Sequence, residues 1–407
     1  MNLRKTMQAL AMAGWMAFAA SSHAAATMEL GGVQLTGSGF LTLGVGSMLG
    51  GTHHNVNDYN CPCFAADYAQ AGVYDNSDFQ WKPDTKLGVQ GTALFPNKRF
   101  SITAQAVSRG ARDGNVNLEW LYASYKLNDQ WTLQGGRKRL PMFYYSDTQD
   151  IGVALPWTHL PPQLYGWEAV NYNGVNLSYQ GQWGDWAASA DLLTGFENKH
   201  NTGYWKIYNG RKNRTDIIWD DILGADLTLS KDWLETRFVY IQSRNKSKIV
   251  TGVWDQATQS YDSSAETGFS ESAKQKIYGV TVNIDYDHWL MRNEAIMIEH
   301  PSLQYRDTAY IAGVGYRYGK WTPMVTWSRY HSIATNGASP TTQEGHRDIA
   351  LTLRYDLSTS SDIKVQMDFQ RELGGADFHP NYNLDGTGNA SPYGNARLLT
   401  VTYDMVF

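Results

Sequence analysis

The chain has 407 residues, of which 13% are aromatic, 38 are glycine and two are cysteine. Its 34 lysine and arginine residues stand against 39 aspartate and glutamate residues, and this formal net charge of −5 gives no indication of nucleic-acid binding. Beyond the amino-terminal segment, no run of 18 apolar residues predicts a membrane-spanning helix. If the chain enters a membrane, it must therefore do so as strands.

The first 26 residues have the pattern of a secretory signal peptide. Two basic residues precede an apolar run over 9–20, and small residues around Ala24 and Ala26 give A-x-A-like cleavage sites. The apolar run is shorter than the roughly 20 residues that a transmembrane helix needs. We therefore expect residues 1–26 to be removed, which leaves 32 cations against 39 acids, a net charge of −7.

The remaining residues, 27–407, are predicted to form one all-β domain, a transmembrane antiparallel β-barrel of about sixteen strands. Apolar residues alternate with polar or small ones, and short turns alternate with mostly longer loops, as expected for a barrel with one periplasmic and one exterior rim. No linker divides the chain. In chain order the alternation predicts strands over 33–48, 87–93, 100–106, 121–127, 131–140, 175–179, 186–192, 223–229, from 233, 280–286, from 289, 310–316, from 321, 349–357, 363–369 and 399–407.

Tryptophan follows the short turns repeatedly. Aromatic side chains collect where a membrane meets water, so this regularity predicts an aromatic belt at one rim of the barrel. A soluble β protein has no reason to repeat it. The residues concerned are Trp131, Trp186, Trp233, Trp289 and Trp321.

The segment 141–171 interrupts this pattern after the fifth predicted strand. It contains four prolines, several aromatic residues and two acids, Asp147 and Asp150. A structureless segment of this length inside a compact domain is usually functional or disordered, and its aromatic content argues against disorder. We therefore predict that it folds back into the barrel and narrows the lumen.

Basic residues out of phase with the apolar positions should face the lumen, because a charge on the lipid side near mid-membrane costs roughly 2 to 4 kcal/mol. Strand phase places five of them inward: Lys86, Arg109, Arg317, Arg354 and Lys364. The last three lie near short turns and hence near the periplasmic mouth. Lys86 and Arg109 lie farther up, at the level expected for the constriction.

The fifth predicted strand leaves the orientation of its basic residues open. Simple alternation turns Lys138 inward and sends Arg137 and Arg139 outward. A bulge at Gly135–Gly136 would reverse this, and we favour the bulge because it removes two guanidinium groups from lipid. Asp147 and Asp150 would then lie across the lumen from a basic wall, and charges so placed would set ion selectivity. The alternative is that these charges only solvate loop ends or pair with each other.

The two cysteines, Cys61 and Cys63, allow a small-ring disulfide in an oxidising compartment. With His53 and His54 they could instead bind a metal, although metal-ligand spacing is usually looser than C-x-C. We expect the disulfide, with no metal site and no cofactor. His159 has no serine or acid at a diagnostic spacing and is expected to be an ordinary loop histidine.

The final strand alternates Leu399, Val401, Tyr403 and Met405 with polar residues and ends on Phe407. This resembles the last strand of bacterial outer-membrane proteins. Together with the GRKRLP entry to the long loop after the fifth of sixteen strands, it resembles the general porins of Gram-negative bacteria. The resemblance implies a homotrimer of barrels in the outer-membrane lipid bilayer, each allowing passive diffusion of small hydrophilic solutes and ions.

Two other functions stay open. A substrate-selective channel could use loop aromatics as stacking faces for sugars, or the basic residues as a ladder for phosphate or carboxylates. The aromatics concerned are Tyr144, Tyr145, Trp157 and Tyr165. They could equally just pin the loop to the barrel wall. An outer-membrane enzyme would need a Ser/His pair near the exterior interface, and no motif nominates one.

Overall fold

The structure is a computed structural model that describes residues 26–250, 254–255, 260–261, 268–335, 342–373 and 394–407. All but the last residue of the expected signal peptide lie outside the described residues. Within the described ranges, no helix combines the length and apolar character that crossing a membrane would demand.

Strands dominate the described chain. They are β1 (Ala26–Leu30), β2 (Val33–Gly51), β3 (His54–Val56), β4 (Tyr59–Cys61), β5 (Phe64–Asp67), β6 (Gly72–Tyr74), β7 (Lys86–Leu94), β8 (Phe100–Arg109), β9 (Val116–Lys126), β10 (Trp131–Arg139), β11 (Asn171–Trp183), β12 (Trp186–Lys199), β13 (Arg214–Lys231), β14 (Leu234–Val250), β15 (Trp254–Asp255), β16 (Ser260–Tyr261), β17 (Ala273–Tyr286), β18 (Trp289–His300), β19 (Tyr305–Tyr316), β20 (Trp321–Ala334), β21 (Thr342–Ser358), β22 (Ser361–Glu372) and β23 (Ala396–Val406). Two short helices, α1 (Pro162–Tyr165) and α2 (Gly203–Asn209), and 3-10 turns at Gly110–Arg112, Ser146–Thr148 and Gly152–Ala154 lie in loops.

Sixteen strands close into an antiparallel barrel. Strand β2 pairs with β7, from Gln34 opposite Leu94 to Thr42 opposite Lys86, and also with the last strand β23. The other members are β8–β14 and β17–β22, each paired with its neighbours in sequence. Strand β1 adds a seventeenth strand as a hairpin on β2. The predicted all-β class and the sixteen-stranded barrel are confirmed.

Strand alternation separates an apolar outer surface from the interior. On β2, Leu43 is 50% exposed whereas the adjacent Thr42 is fully buried. The same alternation recurs on β22 and β23. Tryptophans after short turns pack on tyrosines of the neighbouring strand, with ring centroids 5.0 Å apart for Trp289 and Tyr316 and 4.4 Å for Trp321 and Tyr355.

The loop between β10 and β11, residues 140–170, folds into the barrel and is called the inner loop here. Its aromatic and aliphatic side chains form a buried cluster with the barrel wall that includes Trp157 and Leu155 from the loop and Ile241 and Ile311 from the strands. Part of the inner wall, on β12–β14 and β17–β20, is therefore apolar. Strand alternation alone predicts polar residues at inward positions. Burial of these side chains fixes the loop inside the lumen.

Two outer loops cover the inner loop at the rim that carries the long loops. The first outer loop, residues 52–85, places Tyr68 against the inner-loop residue Gly166. The fourth outer loop, residues 200–213, adds Ile207 and Tyr208 to the same apolar cluster as Tyr68. The first outer loop also contains the disulfide between Cys61 and Cys63. The two outer loops therefore pack on each other, and the first also packs on the inner loop.

Candidate functional site in the barrel lumen

The inner loop is fastened to β8–β10 by a buried group of charges. Arg109 on β8 donates to both carboxylate oxygens of Asp150, Nε to Oδ1 at 3.1 Å and Nη2 to Oδ2 at 2.7 Å. Its Nη1 donates to Glu119 on β9 at 2.6 Å. Arg139 contacts both Asp150 and Glu119. Two cations and two acids therefore compensate each other out of contact with bulk water.

These partners keep Asp150 ionised. Burial alone raises the pKa of its carboxyl, but Arg109 and Arg139 hold that pKa well below its usual range. Lys86 adds a further contact, because its Nζ donates to the carbonyl of Gln149 at 3.2 Å. The expected constriction residues Lys86, Arg109, Arg139 and Asp150 thus come together as an anchor of the inner loop.

On the opposite side, β21–β23 hold the stretch that follows Asp150. Lys364 Nζ donates to the carbonyl of Gly152 at 2.8 Å and contacts Asp404 and Asp362 at 2.8 and 3.0 Å. Arg354 Nη1 donates to the carbonyls of Val153 and Leu155 at 2.8 and 3.1 Å. Both cations face inward as strand phase predicts, and both bind loop backbone.

Gly152 has no room for a side chain. A Cβ there would overlap the carboxylate of Asp404 and lie 2.7 Å from the hydroxyl oxygen of Thr42. The loop backbone therefore packs directly on the wall formed by β2 and β23.

His159 connects the inner loop to the first outer loop and to strand β22. Its Nδ1 lies 3.2 Å from Asp84 of the first outer loop and its Nε2 lies 3.5 Å from Asp368 on β22. Burial lowers the pKa of His159, but the two carboxylates more than offset this and raise it to about 10. Tyr74 also donates to Asp84 at 2.8 Å. His159 is a buried cation rather than the ordinary loop histidine that the sequence suggests.

The aromatic side chains of the inner loop pack against the barrel wall and are not exposed along a passage for solutes. Trp157 is fully buried and its Nε1 donates to Thr326 on β20 at 2.8 Å. Tyr165 donates to Glu294 on β18, which also accepts from the backbone nitrogen of Tyr144 at 2.8 Å. Tyr145 is 7% exposed. The structure thus favours the pinning role over a stacking track for sugars.

The expected bulge at Gly135–Gly136 is wrong. Strand β10 keeps an unbroken register with β9 and β11 through both glycines. The irregularity lies instead on β9, opposite Gln105–Ala106 of β8, where Glu119 is the extra residue. Lys138 therefore points inward, with its Nζ 5.3 Å from the ring centroid of Tyr122.

Arg137 correspondingly lies on the outer side of β10. It borders a groove whose walls include the exposed apolar residues Leu121 and Val175. Its guanidinium donates to both oxygens of Glu197 at 2.8 and 3.0 Å, and this pairing compensates a charge that would otherwise face lipid. Arg139 escapes the alternation because it is the last residue of the strand, where the chain turns inward.

Solvent-accessible polar residues inside the barrel collect between the inner loop and β9–β12. Asp147 is exposed, unlike its neighbours Ser146 and Asp150, and it lies across from Lys138. Partial removal from bulk water raises the pKa of the Asp147 carboxyl, and Lys138 is the cation that most offsets this effect. Asp191 on β12 belongs to the same group and was not identified from the sequence. Of the two acids expected at the constriction, only Asp147 faces this accessible space.

Arg317, the remaining predicted lumen residue, lies just after β19 at the rim of short turns. Its Nη2 donates to Asp285 at 2.6 Å, and Asp285 also accepts from Arg292 at 2.8 Å. Throughout the described part of the chain, no three His, Cys, Asp or Glu residues are arranged to hold a metal ion.

Comparison with known proteins supports the fold. No protein-family model and no curated protein sequence matches the chain. Among solved structures, the outer membrane channel DcaP of Acinetobacter baumannii superposes with a TM-score of 0.55 at 11% identity, covering 94% of this chain and all of that one. An anion-selective porin from Comamonas acidovorans gives 0.53 at 12% identity over 92% of this chain and 100% of that one. The trimer form of OmpT, an outer membrane protein of Vibrio cholerae, gives 0.52 at 8% identity over 92% and 99%. The chain therefore has the barrel fold of Gram-negative outer-membrane porins.

Proposed function

We propose that this protein is an outer-membrane porin through which small hydrophilic solutes and ions diffuse passively. The observation that carries the proposal is the inner loop, which crosses the lumen and leaves accessible polar side chains, Asp147 and Lys138 among them, along β9–β12. The path follows this accessible strip. Its opposed charges act on ions where the passage is narrowest.

The outer surface supports a membrane location. Apolar side chains at alternate strand positions stay exposed, including Leu192 at 56% and Val325 at 52%. Such a surface is stable in contact with hydrocarbon, whereas in water it would favour aggregation. On this proposal the long loops face the exterior, and residues 1–26 are a signal peptide removed during export.

Passive diffusion requires no catalytic group, so we propose that the protein is not an enzyme. We further propose a homotrimer, following the resemblance to general porins and the trimer form of the Vibrio cholerae protein. The second outer loop, residues 110–115, is short, so subunit contacts would come chiefly from the barrel wall.

Single-channel recording in a planar bilayer under a salt gradient tests the proposal. We expect ohmic conductance, insertion in groups of three conductance steps, and a reversal potential that Asp147→Asn moves toward anion selectivity. Asp129→Asn, in the turn between β9 and β10, removes one charge away from the constriction and serves as the control. Absence of any channel activity from correctly folded protein would reject the pore.

A further inference from the structure

The inward side chains of β10–β12 form a polar network beside the inner loop. Asn176 Nδ2 on β11 donates to Asp191 Oδ1 on β12 at 2.8 Å and to Gln134 Oε1 on β10 at 3.2 Å. Ser178 also donates to Asp191 Oδ1, and Lys138 donates to Gln134. The carboxylate of Asp191 and the ammonium of Lys138 are thus linked through neutral side chains.

The carboxylate of Asp191 has no cation in contact with it. Asp226 on the adjacent strand pairs with Arg237 at 3.4 Å, and Asp404 on β23 pairs with Lys364 at 2.8 Å. Asp191, in contrast, forms no salt bridge within the described part of the chain. Both hydrogen bonds that the described residues donate to Asp191 go to Oδ1. Its Oδ2 can therefore accept a hydrogen bond from a solute.

Asn176 adds a second acceptor that lacks a donor. Its side chain is 3% exposed, and three acceptor oxygens, of Gln134, Ser178 and Asp191, fix the orientation of its Nδ2. The buried Oδ1 of Asn176 accepts no hydrogen bond from any residue that the structure describes. A buried polar atom without a partner is unfavourable, and most such atoms in proteins are paired. The network is therefore short of hydrogen-bond donors next to Asp191.

Asp191 lies where a solute in the lumen can reach it. Its neighbour Leu192 is 56% exposed on the outer surface, so strand alternation turns Asp191 inward. The next inward residue, Leu193, is buried in the apolar cluster formed with the inner loop. Asp191 is half-buried and therefore lines the lumen directly beside the inner loop, on the side of the short turns.

We propose that Asp191 binds the ammonium group of small organic amines as they pass the inner loop, and thereby favours these solutes over others of similar size. An ammonium group brings several N–H donors, and its hydrogen bonds to a carboxylate are stronger than those between neutral groups. Binding inside a channel has to be weak enough for the solute to leave again, which one such contact in a hydrated lumen allows. This inference rests on the proposed pore for its purpose, although the binding itself does not.

Block of the potassium current in a planar bilayer tests the site, with 1,4-diaminobutane as the amine and tetramethylammonium as a cation that has no N–H donor. The test variant is Asp191→Asn, whose amide oxygen can still accept from Asn176 and Ser178. The control is Asp129→Asn, which removes one negative charge in the turn between β9 and β10. Heat-modifiable electrophoretic mobility verifies that each variant has a folded barrel.

We expect Asp191→Asn to raise the half-blocking concentration of 1,4-diaminobutane at least about fivefold, and Asp129→Asn to change it by less than about twofold. The half-blocking concentration of tetramethylammonium should change by less than about twofold in both variants. An unchanged value for 1,4-diaminobutane in Asp191→Asn overturns the inference. An equal rise for both cations also overturns it, because the loss of a general negative field, without any hydrogen-bonded site, produces that result.

Saturation-transfer NMR of 1,4-diaminobutane on the detergent-solubilised full chain separates this inference from the pore, because it needs no current. The signal of the amine should fall in Asp191→Asn and persist in Asp129→Asn. That result without any channel current would support the site and reject the pore. Channel current together with an equal signal in the unaltered chain and both variants would overturn the site and leave the pore standing.

Discussion

Asp150 accepts two hydrogen bonds from Arg109, at 3.1 and 2.7 Å, although the two residues are 41 positions apart in sequence. This pair, buried and shared with Arg139, joins the inner loop to the wall of the barrel. Asp147, three residues earlier, is instead exposed. Two acids that look equivalent in the sequence thus have different roles.

Replacing Asp150 with asparagine should destabilise the barrel by about 3–5 kcal/mol, because it leaves buried guanidinium groups without their charge partner. Asp147→Asn should change stability by less than about 1 kcal/mol because its side chain is exposed. Urea unfolding of protein refolded into lipid vesicles measures both. Equal losses in the two variants would contradict the anchoring role of Asp150.

Lys138 and Asp147 should have opposite effects on ion selectivity. Lys138→Gln should move the reversal potential toward cations, whereas Asp147→Asn should move it toward anions, because each removes one charge from the accessible strip. The double variant should return close to the unaltered value. Bi-ionic and salt-gradient recordings measure these shifts. A shift of the same sign in both single variants would exclude a common passage between them.

Gly152→Ala should loosen the inner loop, since a Cβ at this position overlaps Asp404. We expect noisier and larger single-channel currents than in the unaltered protein, with a lower unfolding free energy. Gly91→Ala is the matched control, because a Cβ at Gly91 meets nothing within 4 Å. Unchanged current noise in Gly152→Ala would show that the loop tolerates displacement from β2 and β23.

His159 should make stability depend on alkaline pH. Its folded pKa of about 10 lies above the unfolded value near 6.5, so its contribution is complete below about pH 6.5 and is lost as the pH rises through about 10. Relative to His159→Gln, the unaltered chain should therefore be more stable by about 3–5 kcal/mol at pH 6, with the difference shrinking toward pH 11. Subtracting the two unfolding curves removes the contribution of other titrating groups. A constant difference across this range would mean that His159 is uncharged in the folded protein.

The barrel could be predicted from local sequence patterns alone. Alternation such as Leu43 and Val45 against Thr42 and Gly44 separates an apolar face from an inner face within each strand, and it needs no knowledge of distant residues. The tryptophans after short turns and the irregular composition of residues 141–171 can likewise be recognised without knowing which residues meet in the fold. The observed inner loop, 140–170, begins and ends within one residue of this expectation.

The partners of the charged side chains, in contrast, depend on the closed barrel. The orientation of Lys138 depends on where the bulge lies, and it lies on β9 rather than on β10. His159 contacts Asp84, which is 75 residues away in sequence, only in the closed barrel. The same is true of Asp150 and Arg109. Aliphatic residues such as Ile241 can point inward because the inner loop covers them. Strand phase fixes which face a side chain occupies, whereas its partner is set by which strands and loops the closed barrel brings across the lumen.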